Sequence, residues 1–276
     1  MQLNEAPKYR TDIDGLRAIA VIAVIIFHLG FIPNGFLGVD MFFVISGYLI
    51  TGIIYREWSE GRFSILNFYE RRIRRIIPLV TFICLVALGL GIAVMLPDDL
   101  ENLSQSVIAT NLFSNNILQA ITTRNYWDVV NEYKPLMHTW SLAIEEQYYF
   151  LYPFLFLILS KKRIKWLLPT LIGLAFVSLA FYLMPYQEHV KFYYLPFRFF
   201  ELAFGGILAI VLGRRIITYN LALLPIILVL ALFFLDLNQF PSEILVVLTV
   251  LFSGLLLITN FNDNKLAKFI LENKVL

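Results

Sequence analysis

Cysteine is all but missing from this chain: Cys84 is the one thiol in 276 residues. One thiol excludes an intrachain disulfide framework or thiolate metal cluster, and its apolar surroundings make Cys84 a core or lipid-facing residue. Charge is scarce as well, at 15% of residues, and histidine occurs three times. H-E-x-x-H, Walker and G-x-G-x-x-G patterns do not occur, so metal, nucleotide-hydrolysing and dinucleotide chemistry have no support. Low-complexity stretches and internal repeats are lacking too. A cleavable leader is not expected, because the first ten residues are polar and no small-residue cleavage site follows the first apolar run.

What remains is apolar. Hydrophobic residues make up 59% of the chain, with 25 Phe, which no ordinary soluble domain matches. The expected fold is all-α, a polytopic transmembrane helix bundle with about eight spans. The windows are Ile13–Leu29, Phe36–Tyr55, Ile76–Leu96, Leu136–Leu159, Ile164–Leu183, Pro196–Leu212, Ile216–Leu235 and Glu243–Asn260. With the N-terminus in the cytoplasm, 18 of the 22 Lys and Arg fall on the cytoplasmic side. Only Arg124, Lys134, Lys191 and Arg198 fall outside, and the positive-inside rule selects this orientation. The long outer loop, 97–134, is expected to hold a short helix, since Asp98, Asp99 and Glu101 precede apolar residues at helical spacing (Leu103, Val107, Ile108, Leu112).

Charged residues inside such spans are the candidates for function. Arg17 and His28 bracket the uncharged run Ala18–Phe27. Eleven residues at about 100° each return them to nearly one helix face, roughly 16 Å apart if the helix is continuous. Asp14 lies on the same stripe and is placed to hold the Arg17 guanidinium. Spacing alone fits either an interfacial anchor pair or an active site that reaches into the membrane. Asp40 opens the second span, and the short turn Gly30–Gly35 directs it towards His28. An Asp beside a His fixes the imidazole tautomer and favours its protonated form, the arrangement of a general base. Ser46 lacks the sharp strand-to-helix turn of a nucleophile elbow, and Ser46-Gly47 reads instead as a place of close helix or ligand approach.

Four arginines, Arg71, Arg72, Arg74 and Arg75, precede the third span. They fit anchoring to anionic lipid or, through bidentate guanidinium forks, phosphate recognition. Arg72 and Arg75 share one side. In the fourth span His138, Ser141, Leu142, Glu145 and Tyr149 share a face, and Glu146 points about 100° away. Glu145 is therefore the site candidate and Glu146 a structural pairing residue.

Taken in order, these segments resemble the acyltransferase 3 family of bacterial membrane O-acyltransferases. The resemblance is carried by Tyr9 to Ala18 with the ten-residue gap to His28, by Gly38-Val39-Asp40-Met41-Phe42-Phe43-Val44-Ile45-Ser46-Gly47, and by the Arg72-x-x-Arg75 step. It continues through His138-Thr139-Trp140-Ser141-Leu142-Ala143-Ile144-Glu145-Glu146-Gln147 and a later signature, Phe197 to Gly206. It implies transfer of an acyl group, usually acetyl, from cytoplasmic acetyl-CoA or another acyl-CoA to a sugar hydroxyl of an envelope or exported glycan. O-antigen, lipooligosaccharide, peptidoglycan and exopolysaccharide all stand open as acceptors. By the same resemblance Arg17 and His28 belong to the catalytic motif with Asp40 beside them, Arg72 and Arg75 engage the donor, and Glu145 belongs to the active-site surroundings. No metal and no nucleic acid are implied. The implied location is the bacterial inner membrane. His28 either deprotonates the acceptor directly or carries the acyl group.

Family members have about ten spans, each long enough to cross. A Ser-Tyr and His-containing signature stands near the ninth, and Leu276 falls where it would be approaching. The expectation is one membrane-embedded acyltransferase domain, 1–276, truncated at its C-terminus and without an SGNH-type domain. Two rival readings remain: an inactive remnant of a longer gene, and a glycan transporter or flippase, which is disfavoured because no pair of Gly/Pro-broken helices marks inverted repeats.

Overall fold

The computed structural model describes residues 10–122, 134–212, 223–237, 239–261 and 264–272, with the side chains of 160–163 outside that set. Lys8, Arg124, Arg214, Arg215 and Lys274, the start of the seventh expected span at Ile216 and the end of the long loop, 123–133, lie outside the described residues. Among the described residues the architecture is helical: α1 (Thr11–His28), α2 (Gly38–Ser59), α3 (Ile65–Val94), α4 (Pro97–Asn111), α5 (Asn115–Thr122) and α6 (Thr139–Arg163), then α7 (Leu167–Leu183), α8 (Glu188–Tyr193), α9 (Leu195–Leu212), α10 (Leu224–Phe234), α11 (Ser242–Ile258) and α12 (Lys265–Leu271).

Five of the described helical segments are long and apolar enough to cross a membrane: Gly35–Ser59, Ile65–Val94, Thr139–Leu159, Ile164–Leu183 and Leu195–Leu212. The chain is a multi-pass membrane protein. The three other expected spans meet helices that fall short in length or apolarity. The α1 helix carries Asp12, Asp14 and Arg17 within its 18 residues, and Leu224–Phe234 and Ser242–Ile258 are shorter apolar helices. Local chemistry sets several boundaries. Gly30, at φ +78°, supplies the left-handed turn just beyond α1, and Ser64 caps α3 by accepting a hydrogen bond from the Asn67 N–H at 3.4 Å. The α3 helix starts well before Ile76, so the four arginines belong to the helix itself.

The chain divides into two compact units. The first holds residues 1–52 and 201–276, and close glycine packing organises it. A Cβ on Gly35 would strike the carbonyl of Ala23, and one on Gly38 that of Ala20, so the beginning of α2 lies against the middle of α1. A Cβ on Gly47 would overlap the Leu202 carbonyl, and one on Gly205 the Val44 carbonyl, so α2 and α9 touch backbone to backbone. The helix admitted at Ser46-Gly47 is therefore α9. Arg10 ties the start of α1 to its neighbours, donating to Asp12 at 2.7 Å, to the Tyr48 hydroxyl at 3.0 Å and to the Leu257 carbonyl at 3.1 Å. Asn34 donates to the Leu232 and Leu235 carbonyls at 3.1 and 2.8 Å, satisfying the end of α10.

The second unit holds residues 53–200. Cys84 is buried in its core with Val80, Leu103 and Leu136. The long loop carries two helices, α4 and α5, where the sequence pattern suggests one. Amides fasten α5 and the turn before it: buried Asn115 donates to the Leu136 carbonyl at 2.8 Å, buried Asn116 to the Tyr193 carbonyl at 3.0 Å, and half-buried Gln147 to the Phe113 carbonyl at 2.9 Å.

The glycine contacts predict a contrast within one helix. Gly47→Ala should destabilise the protein by about 1–3 kcal/mol, as overpacking does. At Gly52 an added Cβ meets nothing within 4 Å, so Gly52→Ala should be neutral or slightly stabilising. Thermal unfolding of both variants in detergent checks this.

Candidate functional site

The sequence candidates fall in two groups, one in each unit. Arg17, His28 and Asp40 belong to the first, and α1 runs unbroken from Thr11 to His28. Arg17 and His28 therefore do share a face, roughly 16 Å apart along the axis. Val24 lies on the same stripe and touches Gly38, so the stripe borders the α1–α2 seam. His28 ends the helix, exposed, with its ring edge-on to Phe27 at 5.3 Å.

Two expectations are corrected here. Asp14 is exposed, and Arg17 is half-buried with no hydrogen bond or ion pair among the described residues. A surface pair at i, i+3 gains only a few tenths of a kcal/mol, about what ordering two side chains costs. Asp40 is 3% exposed, as a buried residue of α2. However, the chain turns back further along α1 than its short loop suggests. Gly38 meets Ala20 and Val24, so Asp40, two residues on, lies about 12 Å along the axis from His28, closer to the level of Arg17. The tight turn makes the helices antiparallel without bringing Asp40 to the imidazole.

In the second unit the arginines separate by partner. Arg71 donates to both carboxylate oxygens of Glu57, at 2.9 and 3.0 Å, and Arg74 pairs with Glu70 at 2.6 Å. Arg72 and Arg75 form no ion pair among the described residues. Arg75 is exposed, whereas Arg72 turns inward, its guanidinium 4.4 Å from the ring centroid of Tyr149 and 6.0 Å from that of Phe68. Tyr149 donates its hydroxyl to Glu145 at 3.3 Å. Three residues before Arg72, on the previous turn of α3, Tyr69 donates to the Phe150 carbonyl at 2.6 Å and pins α3 to α6 at this level.

That register sets the level of Arg72 along α6. Tyr149 is ten residues inside α6, roughly 15 Å from its start. Glu146 also departs from expectation. It forms no ion pair among the described residues, and its Oε1 is buried without a hydrogen-bond partner there, although the charge of Arg72 acts on it. Sequence reasoning gave no role to Tyr149 or Tyr69. The i, i+4 step from Glu145 to Tyr149 is a legible signal for the first. Tyr69 depends on the α3–α6 register, which no local pattern encodes.

No three His, Cys, Asp or Glu side chains among the described residues are grouped to hold a metal ion. Residues 10–272 match the family model described as an acyltransferase domain. The peptidoglycan O-acetyltransferase OatA of Listeria monocytogenes is 39% identical over 213 residues, covering 74% of this chain and 34% of that protein. A putative O-acetyltransferase of Staphylococcus aureus is 35% identical over 201 residues, 68% of this chain and 32% of its own length. The O-acetyltransferase OatA of Staphylococcus aureus is 38% identical over 181 residues, 63% and 29%. The chain spans about a third of the length of these curated relatives. No solved structure matches it.

If Tyr149 is the platform for Arg72, a double-mutant cycle on stability with Arg72→Gln and Tyr149→Leu should show coupling of about 0.5–2 kcal/mol. The same cycle between Arg75→Gln and Tyr149→Leu should show none.

Proposed function

Because the chain belongs to the acyltransferase 3 family, we propose that it transfers an acetyl group from cytoplasmic acetyl-CoA to a sugar hydroxyl of an envelope glycan. The chain sits in the bacterial inner membrane with its N-terminus in the cytoplasm, as its Lys and Arg distribution favours. Peptidoglycan is the acceptor named for the Listeria relative, and an acceptor of that class suits this chain too.

The observation that carries the reading is Arg72, a cation drawn between helices and held on an aromatic face at 4.4 Å. A cation held between apolar membrane helices costs free energy unless it is paired or used. Arg71 and Arg74 are already neutralised by Glu57 and Glu70, which leaves Arg72 and Arg75 to grip the anionic donor. Guanidinium forks suit phosphate oxygens because they bind them bidentately.

His28 supplies the reacting group. As a general base its imidazole takes the proton of the acceptor hydroxyl while the hydroxyl oxygen bonds to the acyl carbon. The thioester C–S bond breaks, and CoA leaves as a thiol once it takes up that proton. As a carrier, the imidazole nitrogen would itself bond to the acyl carbon, release CoA and pass the group on. Arg17 stands three turns earlier on the same stripe of α1, a fixed positive charge for the donor side.

His28→Ala should abolish acetylation of the envelope glycan, read by mass spectrometry, with the protein level unchanged. Full acetylation in that variant would remove His28 from the reaction. Arg72→Gln should raise the KM for acetyl-CoA by about tenfold or more, the worth of one lost charge-assisted hydrogen bond.

A further inference from the structure

Two adjacent glutamates enter the membrane on α6, and their surroundings differ. Glu145 accepts from the Tyr149 hydroxyl at 3.3 Å. Glu146 carries a buried Oε1 with no hydrogen-bond partner among the described residues. Native proteins rarely leave a buried carboxylate oxygen unused, so such an atom calls for an explanation. The positive charge acting on it is Arg72, yet the two are not within ion-pair distance. Arg72 stays on the Tyr149 ring instead of closing on the carboxylate. A cation held on an aromatic ring and a buried acceptor oxygen within reach of its charge thus share no hydrogen bond.

We propose that Glu146, not Glu145, is the carboxylate that touches substrate: its Oε1 accepts a hydrogen bond from a neutral N–H or O–H donor bound beside Arg72. Glu145 is then a positioning residue, which holds Tyr149 and through it the guanidinium. The inference rests on the acyl-transfer reading above. It assigns a site that reads charge and donor together, with Arg72 taking an anionic or carbonyl oxygen and Glu146 the neighbouring donor. Two parts of the reacting pair carry such a donor: the pantetheine arm of acetyl-CoA, through its amides and hydroxyl, and the sugar acceptor, through its hydroxyls.

The test uses the full chain in lipid nanodiscs, acetyl-CoA as donor and a soluble muropeptide as acceptor. Glu146→Met removes the acceptor oxygen with an apolar side chain of similar length, so its Tm should not fall. It should weaken acetyl-CoA binding, or raise the KM for the muropeptide, by about tenfold or more, as loss of a charge-assisted hydrogen bond does. The first result places the pantetheine arm at Glu146, and the second places the sugar there. Glu146→Gln keeps an oxygen and should recover most of the loss. The proposal is overturned if Glu146→Met changes neither quantity, if its only effect is a lower Tm, if Glu146→Gln is as impaired as Glu146→Met, or if Glu145→Met reproduces the loss at unchanged Tm. An unaltered chain that neither binds acetyl-CoA nor acetylates the muropeptide would instead overturn the acyl-transfer reading, and this inference with it.

Discussion

A charge held between membrane helices has few stable states: it must be paired, solvated or occupied by a ligand. That constraint separates the four arginines of α3. Arg71 and Arg74 meet it with Glu57 and Glu70. Arg72 meets it in part, with the π face of Tyr149, which attracts a cation while leaving its N–H donors unspent. Its level along α6 comes from the α3–α6 register, set by Tyr69 on the Phe150 carbonyl. Tyr149 holds the guanidinium and is itself held by Glu145, while Glu146, on which the arginine's charge acts, keeps an acceptor oxygen open. A set of groups this specific is what binding an anion next to a hydrogen-bond donor requires.

In the other unit the controlling feature is the absence of side chains. Gly35 and Gly38 let α2 press onto the α1 backbone, and Gly47 and Gly205 do the same between α2 and α9. Without lipid-exposed polar contacts to drive it, helix association in a bilayer depends on such close packing. The seam fixes the rotation of α1, so the face bearing Arg17 and His28 is held by backbone contact. Arg10 adds a polar fastening, joining α1, α2 and α11.

Much of this was legible in the sequence, and the reasons are physical. Helix periodicity is local, so the shared face of Arg17 and His28 followed from spacing once α1 ran unbroken. Hydropathy located five crossing helices, and at α1 it was blurred by Asp12, Asp14 and Arg17, the residues that make the helix interesting. Partner choice was not legible. A short loop points Asp40 towards His28, but the level at which two helices meet depends on which glycines admit a backbone. Helix face alone separates the two glutamates in the sequence, and it does not reveal that Tyr149 engages Glu145 while Glu146 keeps a buried oxygen without a hydrogen-bond partner among the described residues. Chain-distant register, here between α3 and α6, decided both the level of Arg72 along α6 and the identity of its neighbours.

The central claim is that Arg72 is a substrate-binding cation and not a lipid anchor. The most direct measurement is a cryo-EM structure of the full chain in nanodiscs with a non-hydrolysable acetyl-CoA analogue. Analogue density is expected against the Arg72 guanidinium, with a phosphate or carbonyl oxygen within hydrogen-bond distance of Arg72 or Arg75. Analogue bound elsewhere, with Arg72 turned to a lipid headgroup, would contradict it.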